Sequence, residues 1–227
     1  MHGEEKRVVV VSGLPRSGTS MMMRVLAAGG VPLVTDGLRE ADEDNPHGYF
    51  ELEAVKSGQA DNSWLEGSEG KAVKVVSALL PELPSSCRYR IIFMDRDVDE
   101  VVTSQRVMLA RQGKEPEVSD PEMAALFRRH LEEVTEWLAG RDDMAVERIP
   151  YKAMVATPAE QVSRIVAFLG LRLDEEAMVR AVDPGLYRQK GGEVRPQEAG
   201  AEGAEPTTTS EDERKLIEAQ LAALGYM

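Results

Sequence analysis

The sequence predicts an α/β domain with a mainly parallel central sheet flanked by helices. Three observations carry this expectation. Short strand-like runs alternate with helical stretches along most of the chain. The first run, Arg7–Ser12 (RVVVVS), is an unbroken β-branched segment of the kind buried in a parallel sheet. A glycine-containing loop, Gly13–Ser20 (GLPRSGTS), then joins that strand directly to a helix.

The helix after the loop is expected over Thr19–Ala28, with Gly29 and Gly30 ending it. Val31–Gly48 is polar and rich in Pro, Gly and Asp, so it reads as a long loop. Phe50–Asp61 reads as a helix, Ala72–Val76 as a second strand and Arg90–Met94 as a third. A helix over Val98–Gln112 begins with Asp97 and Glu100 in capping-box spacing. Another runs over Pro121–Ala139, and Met144–Ile149 is the fourth strand. Thr157–Leu169 is a helix with Thr157 as N-cap, Pro158 in its first turn and Gly170 as its stop.

Residues 1–190 therefore form the α/β domain, and 191–209 an acidic linker of low complexity with no apolar period. Ser210–Leu224 returns to helical character, with Ser210 and Glu213 in capping-box spacing and Leu216, Ile217, Leu221 and Leu224 on one side. Three arrangements are open for this helix: capping a site, pairing with another subunit in a homodimer, or swinging free.

With 42% apolar and 30% charged residues among 227, the chain has the composition of a soluble globular protein. MHGEEKRVVV carries acids where a signal peptide has none, and no window approaches the roughly 18 apolar residues of a membrane span. The single cysteine, Cys87, suits a reducing compartment, so a cytoplasmic location is expected. A net charge of −13 argues against a nucleic-acid or anionic-membrane surface, although Gly192–Arg214 alone supplies −5 of it. A small anion needs only a local pocket of donors.

Such a pocket is what a strand, a glycine loop and a helix N-terminus create together. Gly13 and Gly18 have Walker A glycine spacing, but Thr19 and Ser20 follow directly and the Walker lysine is absent. Its charge is replaced by Arg16, inside the loop. A γ-phosphoryl group is offset by a lysine together with Mg²⁺. A terminal sulfuryl group carries less charge, so one cation with backbone donors suffices for it without metal.

PRSGTS (Pro15–Ser20) resembles the 5′-phosphosulfate loop of sulfotransferases that use 3′-phosphoadenosine-5′-phosphosulfate (PAPS). The resemblance implies that Arg16 contacts the bridging oxygen and the transferred group. Pro15, Ser17, Gly18, Thr19 and Ser20 would complete the loop around the 5′-phosphate. Met21 stands where many cytosolic members place a tryptophan. An arginine followed eight residues later by a serine binds the 3′-phosphate in this family, and Arg96 and Ser104 repeat that spacing. Taken without the family they are a surface arginine and a helix-facing serine. Glu147–Leu171 resembles the family segment whose tyrosine, here Tyr151, contacts the adenine, with Lys152 in place of a glutamate. Arg188 and Lys190 resemble the basic segment that closes over the 3′-phosphate, or form a solvated basic turn.

The transfer also needs a base. Lys74 aligns with the family's K-T-H-L-P lysine, positioned to stabilise developing charge, but valine and serine occupy the histidine's neighbourhood. Asp36, Glu40, Asp44 and Glu51 are acidic candidates. Glu51 is favoured, because NPHGYFE (Asn45–Glu51) resembles an element of bacterial relatives and would put Glu51 at a helix N-terminus that keeps it ionised. His47 is the rival, while His2 reads as terminal and His130 as surface-helical. The expected function is thus metal-independent sulfuryl transfer from PAPS, leaving 3′,5′-ADP (PAP), to a hydroxyl or amine of a small-molecule or carbohydrate acceptor. A P-loop small-molecule or nucleoside kinase, with Asp95 as its metal-binding carboxylate, and an inactive nucleotide-binding relative are the alternatives.

Overall fold

The computed structural model describes residues 7–39, 41–42, 45–46, 48–56, 63–183, 185 and 210–226. Glu40, Asp44, His47, His2, Arg188, Lys190 and the expected linker lie outside the described residues, as does the side chain of Ser210.

Five strands form one parallel sheet: β1 (Arg7–Ser12), β2 (Leu33–Val34), β3 (Ala72–Lys74), β4 (Arg88–Asp95) and β5 (Met144–Pro150), in the order β2-β3-β1-β4-β5. The helices are α1 (Thr19–Ala28), α2 (Glu53–Lys56), α3 (Val98–Arg111), α4 (Asp120–Ala139), α5 (Tyr151–Ala156), α6 (Pro158–Leu169), α7 (Glu175–Ala181) and α8 (Ser210–Ala223). The α/β architecture expected from the sequence, a parallel central sheet flanked by helices, is therefore present.

Alternation along β1 explains why its valines are continuous. Val8 and Val10 face one layer with Tyr89, Ile91 and Phe93, packed under α3, α4 and α8. Val9 and Val11 face the other with Ile92 and Met94, packed under α1, α6 and α7. A central parallel strand is buried on both faces, so neither face has a use for polar residues. Each such valine contributes roughly 1.5–3 kcal/mol relative to exposure.

Several local expectations are corrected. The loop Val31–Gly48 contains β2, a two-residue edge strand too short to carry a period. Phe50, Glu51 and Leu52 precede the helix rather than belong to it; α2 starts at Glu53, and Phe50 has a left-handed φ of 53°. Asp97 does cap α3, accepting from the N–H groups of Asp99 and Glu100. The Glu100 carboxylate does not reach back to close the box, because it pairs with Arg96 and Lys152 instead. Thr157 makes no side-chain cap; its hydroxyl donates to the Ala153 carbonyl and finishes α5.

His130 is not a surface residue of α4. Its ring turns inward, with Nε2 2.9 Å from Ser77 Oγ, and burial lowers its pKa from 6.5 to about 4. The unfolded chain accepts this proton at pH values where the folded chain refuses it. The contribution of neutral His130 is therefore intact above pH 6.5 and lost as pH falls towards 4. Substitution His130→Gln should flatten the loss of melting temperature over that window, by up to about 3 kcal/mol at its acid end. Parallel pH–stability curves for the two proteins would contradict the assignment.

Candidate functional site

Every strand except β2 delivers a candidate residue at its C-terminal end. The loop Gly13–Ser20 follows β1, Lys74 ends β3, Arg96 follows β4, and Tyr151 follows β5. The sheet extends on one side of β1 through β3 and on the other through β4. Chain connections diverge at such a point and leave a crevice, which is where open α/β sheets bind ligands.

The loop is held in an unusual shape. Arg16 has a left-handed φ of 76°, costing of the order of 1 kcal/mol for a side-chain-bearing residue. It is held there by three bonds to its surroundings: the Ser17 N–H donates to the Leu14 carbonyl, Gln105 Nε2 to the Pro15 carbonyl at 3.0 Å, and Arg96 to the Arg16 carbonyl at 2.9 Å. Gly18 follows with a φ of 106°, and a Cβ there would lie 2.5 Å from the Tyr151 ring. Glycine is thus needed twice over, for its backbone angle and for the close approach of Tyr151. No side chain caps α1, so its first N–H groups face the crevice.

Arg16, Gly18, Thr19, Ser20, Arg96, Ser104 and Tyr151 line one cleft, so most of the residues predicted for the loop, the 3′-phosphate and the adenine converge. Arg16 Nε donates to Ser104 Oγ at 3.1 Å, and the Arg96 guanidinium lies 4.6 Å from the Tyr151 ring centre. Glu100, buried beneath, pairs with Arg96 at 3.2 Å and with Lys152 at 3.1 Å. The lysine that departs from the family pattern thereby helps to orient Arg96. Pro15 and Ser17 do not face the cleft. The Pro15 carbonyl is taken by Gln105, and the Ser17 side chain is buried under the loop.

The cleft is lined by three arginines, Arg16, Arg96 and Arg111, and by no acid among the described residues. In a chain of net charge −13 this is a concentrated positive site. Together with the helix N-terminus it fits a phosphorylated nucleotide. Arg111 escaped the sequence reading although Ser104, Val107 and Arg111 share a face of α3 at helical spacing. Asp95, the carboxylate of the kinase alternative, is not among the described residues that line the cleft and pairs with Arg148 at 3.4 Å.

Beside Ser20 lies a second, buried cluster. Lys74 Nζ donates to Glu51 Oε1 at 3.0 Å and to the Tyr49 carbonyl, with Ser20 Oγ at 3.5 Å. Glu51 also accepts from Arg39 at 3.3 Å. The carboxylate is thus held near the loop by two cations, two residues before the start of α2 at Glu53. Asn45 explains the start of the NPHGYFE motif: its amide donates to Ser20 Oγ at 2.9 Å and to the Gly48 carbonyl. Tyr49 is buried, its hydroxyl donates to Asp42, and its ring lies 3.6 Å under the Arg39 guanidinium. Asp36 is turned away, accepting from the Glu53 N–H. Arg39 and the C-terminal Tyr226, which also lines the cleft, were not found from the sequence, because their role depends on contacts between distant segments.

Gly18→Ala should cost about 1–3 kcal/mol from backbone strain alone and displace the Tyr151 ring. A melting temperature equal to that of the parent would refute the packing described.

No curated protein sequence matches the chain. Among solved structures, mouse sulfotransferase SULT7A1 complexed with PAP superimposes with a TM-score of 0.52 at 18% identity, over 79% of this chain and 63% of that one. Sulfotransferase STF1 from Mycobacterium tuberculosis H37Rv gives 0.51 at 14% identity, over 98% and 77% respectively. At such identities the likeness is one of fold. The sequence model of the sulfotransferase family matches residues 52–175, which include Lys74, Arg96, Ser104 and Tyr151. With more than half of its length matched, this chain belongs to the sulfotransferase family.

Proposed function

We propose that the chain transfers a sulfuryl group from PAPS to a hydroxyl or amine of a small acceptor, without a metal ion. The observation that carries this reading is the convergence of Arg96, Ser104 and Tyr151 with Arg16, Gly18, Thr19 and Ser20 in one cleft that no acid lines among the described residues. Those groups suit a nucleotide phosphorylated at both ends better than a nucleoside triphosphate. The PAP bound by the mouse protein of similar fold agrees with that choice.

In this reading the N-terminus of α1, with Gly18, Thr19 and Ser20, holds the 5′-phosphate. Arg96 and Ser104 hold the 3′-phosphate, and Tyr151 packs on the adenine. Arg16 leaves Ser104 to follow the bridging oxygen as it gains negative charge, an interaction stronger in the transition state than in the ground state. Glu51 takes the acceptor's proton, and Lys74 keeps Glu51 ionised beforehand. The proton's arrival then weakens the Lys74–Glu51 attraction and frees the ammonium to support charge on the transferring group. The chain's own residues account for both proton and charge, so no metal is required. Arg111 at the rim adds a third cation for the nucleotide.

PAP should raise the melting temperature of the protein more than ATP with Mg²⁺ does; the opposite order would favour a kinase. Arg16→Ala should lose nearly all of the PAP-induced shift and transfer, and unchanged activity would sink the loop assignment. Glu51→Gln should lower turnover about a hundredfold or more while keeping the PAP-induced shift. A larger rate loss in Glu40→Gln or His47→Ala would move the base elsewhere.

A further inference from the structure

The cleft contains a phenol that belongs to the chain itself. Tyr226, at 4% exposure, lines the cleft beside Arg16 and Ser20. Its ring centre lies 5.3 Å from the Lys74 ammonium and 5.1 Å from the Arg39 guanidinium. Its hydroxyl shares a hydrogen bond with Arg16 and feels the charge of Glu51. Arg16 therefore bonds the hydroxyl, while Lys74 and Arg39 lie over the ring of the same side chain.

That placement is built rather than incidental. Ile217, Leu221 and Leu224 bury one face of α8 in the core that also holds α3 and α4. Gln220 Nε2 donates to Gln105 Oε1 at 3.0 Å, and Gln105 in turn holds the Pro15 carbonyl of the loop. Arg39 then grips the tail, donating to the Leu224 carbonyl at 2.9 Å and the Gly225 carbonyl at 3.0 Å. Gly225 has a φ of 79°, and a Cβ there would stand 3.3 Å from the same guanidinium, so glycine allows both the turn and the grip. Three other hydroxyls lining the cleft face different partners. Ser20 Oγ is engaged with Asn45, Ser104 Oγ accepts from Arg16, and Tyr151 stands near Glu100 rather than Glu51.

We propose that Tyr226 is a sulfuryl acceptor of this site, so that the protein sulfates its own C-terminal tail in cis. The proposal rests on the donor reading above. Tyr226 Oη forms a bond to the sulfur of PAPS while the bond from that sulfur to the bridging oxygen of the 5′-phosphate breaks. PAP departs with the electron pair, and the phenolic proton passes to the Glu51 carboxylate. The product is an aryl sulfate on Tyr226. A phenol is more acidic than an alkyl alcohol; burial raises the pKa of this one, so the reaction needs the base, and its tether removes the entropy cost of bringing two molecules together.

The test needs only PAPS and the full chain. Incubation followed by intact-mass measurement and peptide mapping should find one added sulfuryl group, on Tyr226. The rate constant should be independent of protein concentration, and Tyr226→Phe should abolish the modification. Glu51→Gln should slow it about a hundredfold or more while keeping the PAP-induced thermal shift, which shows that the variant is folded and binds nucleotide. A chain stabilised by PAP that stays unmodified by PAPS overturns self-sulfation while leaving the donor site intact. A chain that PAP does not stabilise overturns the donor reading, and this proposal with it. Modification on Tyr151, or at a rate proportional to protein concentration, overturns the cis arrangement.

Discussion

One buried ammonium ties the site together. Lys74 ends β3 with 4% exposure and is surrounded by the Glu51 carboxylate, the Tyr49 carbonyl and Ser20 Oγ. The lysine comes from the sheet, and its partners from two further segments, the long segment after β2 and the first turn of α1. Burying two charges carries a large desolvation cost, which close geometry and further hydrogen bonds offset. Removing either partner strands the other away from water, at about 3–5 kcal/mol. Such a pair is a poor choice for stability alone, since apolar side chains of similar volume would serve as well. It is a good choice for holding a carboxylate ionised and in place beside an anion-binding loop.

Arg39 extends the arrangement outward. It shares Glu51 with Lys74, stacks on Tyr49, and holds two carbonyls of the C-terminal tail. The segment after β2 and the end of the chain are thereby joined across the mouth of the cleft. Around Arg96, Glu100 has a matching part, pairing with Arg96 from below and with Lys152 at the rim. Each half of the site has a buried acid between two cations. The cleft surface itself carries only the positive groups, so the anions that organise the site do not repel the one it is to bind.

Much of this was legible in the sequence. RVVVVS followed by GLPRSGTS gave a buried parallel strand, an anion loop and a helix, because local backbone chemistry and a hydrophobic period decide those elements. Arg96, Ser104 and Tyr151 were legible only through the family resemblance, since their spacing alone reads as a surface arginine, a helix-facing serine and a tyrosine at a strand end. In a parallel sheet every strand end reaches one edge, so residues at those ends meet whatever lies between them. Asn45–Glu51 was found as a motif, but its reason was not. Asn45 reaches Ser20 and Glu51 reaches Lys74 only once the segment has crossed the sheet edge.

The strand, the glycine loop and the helix that follows it were determined by the sequence alone, through residues that act within a few positions of one another. Tertiary structure decided the rest. It turned His130 towards Ser77, placed Glu51 in a buried ion pair with Lys74, and brought Tyr226 beside Arg16. Those outcomes depend on desolvation and on contacts between distant segments, such as that of Arg39 with Gly225 across 186 residues, for which no local period or spacing exists.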